Sequence, residues 1–151
     1  MTPLVARASM MIAAQPERIF DAFVEPEALR AFWLAEASAP LRIGQPAHWT
    51  FLVPGAAAEA TATTLDRPHR LAWDWSDGTK VEITIEPEGG ETAVSVACSG
   101  FDGPAETQVA TALATTEGFS IVLSDLKTWL ESGRSAGLTA AKARLIIARG
   151  C

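Results

Sequence analysis

The sequence has no tyrosine, and only two cysteines and two histidines in 151 residues. Without a phenol, no tyrosyl hydroxyl can orient a substrate or donate a proton. Cys98, inside a predicted strand, and Cys151, at the last position, suggest neither a disulfide framework nor a metal cluster, so a reducing compartment is expected. His48 and His69 lie far apart, and no HxxxH or CxxC spacing occurs, which leaves no recognisable metal site and no cofactor to expect. A glycine-rich phosphate loop, a nucleophile elbow and a paired Cys and His are missing too, and Ser99-Gly100 stands outside any GxSxG context. Nucleophilic-triad chemistry therefore has no support, although scattered acid and base residues can still assemble a site.

Positive charge is also scarce. Twelve Lys and Arg face eighteen Asp and Glu, a formal net charge of −6. Binding along a phosphate backbone depends on clustered cations that release counterions, so nucleic acid is not an expected partner. Long hydrophobic runs are absent as well. Residues 1–14 hold one Arg and an apolar stretch too short and interrupted for a signal sequence or a membrane span, and they read as a first strand in a cytoplasmic protein.

What is present describes an ordinary folded chain, 48% hydrophobic and 20% charged. Its length suits one domain, expected over residues 1–134, with residues 135–151 as a C-terminal tail in which 138–148 have the makings of a short extra helix. The opening segment alternates loosely and ends at Ala13-Ala14-Gln15-Pro16, where proline favours a helix start. Ile19, Phe20 and Phe23 then share one helical face, and Leu29, Phe32 and Trp33 another, with a break at Glu25-Pro26. Two short helices are expected after the first strand.

Between residues 36 and 100 the period changes. Short β-compatible runs are separated by turn signals at Ile43-Gly44, Pro54-Gly55, Asp66-Arg67-Pro68, Asp77-Gly78 and Gly89-Gly90, the pattern of a meander. Leu71, Trp73 and Trp75 alternate with Arg70, Ala72 and Asp74, and Val81, Ile83 and Ile85 with Glu82, Thr84 and Glu86. One greasy face and one wet face imply an antiparallel sheet covered on a single side. After Phe101-Asp102-Gly103-Pro104 the helical period returns, with Phe119, Val122, Leu123, Leu126, Trp129 and Leu130 at i, i+3, i+4, i+7, i+10 and i+11. Gly133 is placed to end that helix.

This order, together with five local motifs, resembles the family of activators of heat-shock-protein-90 ATPase and their homologues, within the START-related superfamily. The residues that carry the likeness begin with Ile12-x-Ala14-x-Pro16-Glu17-x-Ile19-Phe20, Trp33 and Pro68-x-x-Leu71-x-Trp73-x-Trp75. They continue with Ser99-Gly100-Phe101 and Glu117-Gly118-Phe119-x-x-x-Leu123-x-x-Leu126-Lys127-x-x-Leu130-Glu131-x-Gly133. Phe119 stands where the family usually has Trp, and the tail beyond Gly133 lies outside its pattern. The resemblance implies an α+β helix-grip fold: a curved antiparallel sheet of about six or seven strands wrapped around a long C-terminal helix. It also implies an apolar cavity between sheet and helix, but no single function.

Candidate ligand-binding residues are the inward-facing aromatics Trp33, Trp49, Phe51, Trp73, Trp75, Phe101 and Phe119, with Val122 and Leu126 from the long helix. The same residue types build cores, so the competing reading of each is packing alone. Polar handles inside a cavity are limited to indole N–H groups, Ser and Thr hydroxyls, or His48. The candidate proton carriers are Glu36 near the expected pocket mouth, His48 beside Trp49, and Asp74 between two tryptophans. Strict alternation points His48 and Asp74 to solvent.

Three functions are compatible with this pattern. The first is a module that holds a small hydrophobic molecule, lipid-like or an aromatic metabolite; the second is a cyclase or hydrolase acting on an apolar metabolite. The third is a partner module stimulating a chaperone ATPase, against which counts the lack of the additional N-terminal domain of the eukaryotic co-chaperone. The basic tail could instead support a homodimer.

Overall fold

The computed structural model describes residues 3–150; Cys151 lies outside them. The chain begins with β1 (Ala6–Ile12), followed by α1 (Pro16–Val24) and α2 (Pro26–Phe32). Each helix opens on proline, whose missing N–H is one that a first helical turn leaves unpaired anyway. Pro26 also disfavours helical geometry for the residue before it, and Glu25 is extended at φ −87° and ψ 130°. The break therefore falls where the sequence places it. α1 buries Ile19, Phe20, Ala22 and Phe23, and α2 buries Leu29 and Phe32.

Six strands follow: β2 (Glu36–Ala37), β3 (Pro46–Thr50), β4 (Ala57–Asp66), β5 (Arg70–Trp75), β6 (Lys80–Glu88) and β7 (Glu91–Ser99). The sheet is seven-stranded and antiparallel throughout, in the order β1-β7-β6-β5-β4-β3-β2. Successive strands pair as hairpins, and β1 joins from the other end by pairing with β7, from Ala6 opposite Cys98 to Ile12 opposite Thr92. Register is set by the alternation. Leu71 faces Ile83, Trp73 faces Val81, and Ile83 and Ile85 face Val96 and Val94, all buried on one side. A slip of one residue would turn that whole set into water.

A 28-residue helix, α3 (Ala105–Ser132), crosses the buried face of the curled sheet and completes the α+β helix-grip fold. Its buried stripe is Phe119, Val122, Leu123, Leu126 and Leu130; the first three turns are mostly exposed. Each large side chain buried this way contributes roughly 1.5–3 kcal/mol. Gly133 ends the helix in the left-handed conformation at φ 78°, its N–H donating to the Trp129 carbonyl. The chain then turns back into α4 (Leu138–Arg149), which packs on α3. Among the described residues, no helix is long and apolar enough to cross a membrane.

Polar contacts fix α3 against β1. Lys127 Nζ donates to the Met11 carbonyl at 2.8 Å and to Glu131 Oε2 at 2.6 Å, and that carboxylate also accepts the Ala13 N–H at 2.7 Å. The Ala13 N–H, helped by Lys127, holds the Glu131 carboxyl below its ordinary value. A depressed folded-state value means stability that is full above the ordinary pKa, near 4.5, and lost as the pH falls through the lower one. In thermal melts, wild type is expected to lose more stability between about pH 5 and pH 3 than Glu131→Gln does. Equal losses would show that this clamp does not respond to acid.

Candidate ligand cavity

The stretch of α3 from Thr111 to Val122 faces the β3–β4 and β5–β6 connections. Beneath it is a cavity of about 450 Å³. Gly100 shapes the approach to α3 at φ 89°: a Cβ there would meet the Gly78 carbonyl at 3.1 Å, so only glycine lets β7 leave the sheet this close to the β5–β6 turn. Gly118 lines the cavity from α3, and a Cβ placed on it would meet nothing within 4 Å.

Of the residues expected to bind a ligand, Trp33, Phe51, Trp75, Phe101, Phe119 and Val122 stand on the cavity wall. Trp49, Trp73 and Leu126 do not; all three are fully buried in the core behind it. Alternation puts Trp49 and Trp73 on the inner face, but the cavity opens at the C-terminal ends of β3 and β5. One residue pair further along each strand, Phe51 and Trp75 reach it. Trp33 joins the two groups, with its ring 5.2 Å from Trp49, 6.2 Å from Trp73 and 5.6 Å from Phe119. The Trp49 and Trp73 indole N–H groups have no hydrogen-bond partner among the described residues and sit among ring faces and edges.

Sequence reasoning missed one whole wall. Thr139, Lys142, Ala143 and Ile146 of α4 face the cavity. Their spacing of i, i+3, i+4 and i+7 was the available signal. Cys98, expected only as a strand residue, also stands on the wall; burial, with Asp77 nearby, pushes its thiol up to about 12, so it stays protonated at neutral pH and offers no thiolate nucleophile.

Glu36, His48 and Asp74 are elsewhere. The Glu36 side chain is 72% exposed and lies 3.9 Å from Arg30, His48 is exposed on β3, and Asp74 sits 3.5 Å from Lys80 on the outer face of the sheet. None of them reaches the cavity wall. Among the described residues no group of three or more His, Cys, Asp or Glu could hold a metal ion.

Hydroxyls on the wall are mostly engaged with the protein itself. Thr115 donates to the Thr111 carbonyl at 2.8 Å, Thr139 to the Phe32 carbonyl at 2.9 Å and Thr79 to Asp77 at 2.6 Å. The cavity is thus aromatic and aliphatic, with few free donors.

The family model for activator of Hsp90 ATPase homolog 1-like proteins matches residues 13–131. The chain belongs to this family. Several solved structures share the fold. A protein of Staphylococcus saprophyticus is 24% identical with a TM-score of 0.75, over 87% of this chain and 95% of that one. The Aha1 dimer of Colwellia psychrerythraea is 19% identical with a TM-score of 0.77, over 87% and 99%. DynU16, from the dynemicin biosynthetic locus, is 18% identical with a TM-score of 0.76, over 87% of this chain and 48% of that chain. No curated protein matches significantly. α4 lies beyond the residues that the activator-homologue model covers.

Proposed function

We propose that this activator-homologue domain binds a small, predominantly apolar molecule in the cavity beneath α3. The observation that carries the reading is a partly open aromatic and aliphatic pocket of about 450 Å³ at the edge of a well-packed core. That size falls in the range of roughly 300–1,000 Å³ common for small-molecule sites. Water in such a space finds few partners, because three of the five wall hydroxyls already donate to the protein, so an apolar guest gains by displacing it. With Glu36, His48 and Asp74 remote and the Cys98 thiol protonated, binding accounts for the geometry better than turnover does.

Gly118 allows a direct test. Gly118→Trp puts a large ring into open space and removes a helix-interior glycine that costs roughly 1 kcal/mol relative to alanine. Tryptophan fluorescence titration with decan-1-ol should show saturable binding to wild type, weakened at least about tenfold in the variant, whose melting temperature is unchanged or higher. Native mass spectrometry of the purified protein should reveal any copurifying guest. No saturable response of wild type to decan-1-ol, together with no copurifying molecule, would rule out the proposal.

A further inference from the structure

We propose that α4 makes the cavity selective for apolar molecules carrying a carboxylate, with Lys142 as the cation that receives it. This rests on the reading of the cavity as a ligand site and assigns it a substrate class.

The family match ends at residue 131, yet α4 supplies one side of the cavity. This wall is therefore an addition to the matched scaffold. It is held firmly. The buried Asp125 carboxylate accepts the Thr139 N–H at 3.1 Å and the Ser135 hydroxyl, while the Thr139 hydroxyl ties the start of α4 to α2 through Phe32. Lys142 follows within one turn, so its position is set by the same contacts.

Lys142 is the one Lys or Arg among the described residues on the wall. Its Nζ lies 3.1 Å from Glu117 Oε1, but the two partners differ: the lysine side chain is 31% exposed and the glutamate 59%. The cation is half-buried and its partner more exposed. An ion pair this exposed contributes at most about 1 kcal/mol, so a ligand carboxylate can displace Glu117 at little cost. The stem of Lys142 stays on the apolar wall while its ammonium reaches the rim, which suits a guest with an apolar body and an acidic end. The opposite polarity is disfavoured. Asp77, the acid on the wall, sits exposed in the β5–β6 turn, and its Oδ1 already accepts both the N–H and the hydroxyl of Thr79 at 2.8 and 2.6 Å.

Decanoate, decan-1-ol and decyltrimethylammonium, titrated into wild type, Lys142→Met and Glu117→Gln, test the assignment. Decanoate should bind wild type tightest, with a preference that fades as salt rises. Lys142→Met should weaken decanoate about fivefold and leave decan-1-ol unchanged, whereas Glu117→Gln, which frees the lysine, should tighten decanoate. Equal binding of decanoate and decan-1-ol, parallel effects of Lys142→Met on both, or a preference for the ammonium would overturn the role of Lys142 and leave the apolar cavity standing. Binding of none of the three to wild type would remove the cavity reading and this assignment with it.

Discussion

Trp33→Ala should lower stability by about 3–5 kcal/mol, measured by chemical denaturation, and abolish binding of apolar probes in the same variant. Trp33 ends α2 and is 7% exposed, and its ring lies 5.2–6.4 Å from those of Phe23, Phe32, Trp49, Phe51, Trp73, Trp75 and Phe119. Residues from α1, α2, two strand ends and α3 thus meet on one indole. Truncation removes its burial and leaves a void beside the existing cavity, so the surrounding rings lose contacts on two sides. Trp33→Phe keeps part of the surface and should cost much less. A loss below about 1.5 kcal/mol for the alanine variant would mean that the aromatic cluster repacks into the cavity.

Asp125→Ala should release α4. The carboxylate is 1% exposed and accepts from Thr128 Oγ1 at 3.2 Å, from the Ser135 hydroxyl and from the N–H of Thr139 in the first turn of α4. An acidic group at this helix end also meets the positive end of the helix dipole. Alanine leaves the Ser135 hydroxyl and the Thr139 N–H without this acceptor, each worth roughly 1–3 kcal/mol, and strips the attachment of the helix, while Thr128 Oγ1 keeps its bond to the Asp125 carbonyl at 2.8 Å. Hydrogen exchange over residues 138–149 is expected to accelerate at least about tenfold while β5, β6 and β7 keep their protection, because local opening need not involve the sheet. Asp125→Asn retains one acceptor oxygen and should give an intermediate rate. Unchanged exchange in α4 would show that its apolar packing alone holds it.

How far the site was legible varies from residue to residue. The meander was readable because Leu71, Trp73, Val81, Ile83 and Ile85 alternate with polar neighbours, and a half-buried strand has no other way to satisfy both faces. Pro16 and Pro26 marked helix starts for reasons local to the backbone. Trp33, Phe51, Trp75, Phe101, Phe119 and Val122 stand on the cavity wall, whereas Trp49, Trp73 and Leu126 proved to be core, although nothing in their neighbours along the chain separates the two groups. Asp125 escaped notice since a lone carboxylate beside an apolar stripe looks like surface until the loop carrying Ser135 and the first N–H groups of α4 close over it.

Alternation, proline placement and the spacing of the α3 stripe are properties of a few adjacent residues, and the sequence by itself determined the elements, their buried faces and the family. Where along the strands α3 ceases to touch the sheet, and which way the chain turns after Gly133, depend on contacts between segments far apart in sequence. Those contacts alone decided which aromatics line the cavity, that α4 forms one of its walls, and that Lys142 lies on that wall: a side chain's periodicity names the face it occupies but not what lies opposite.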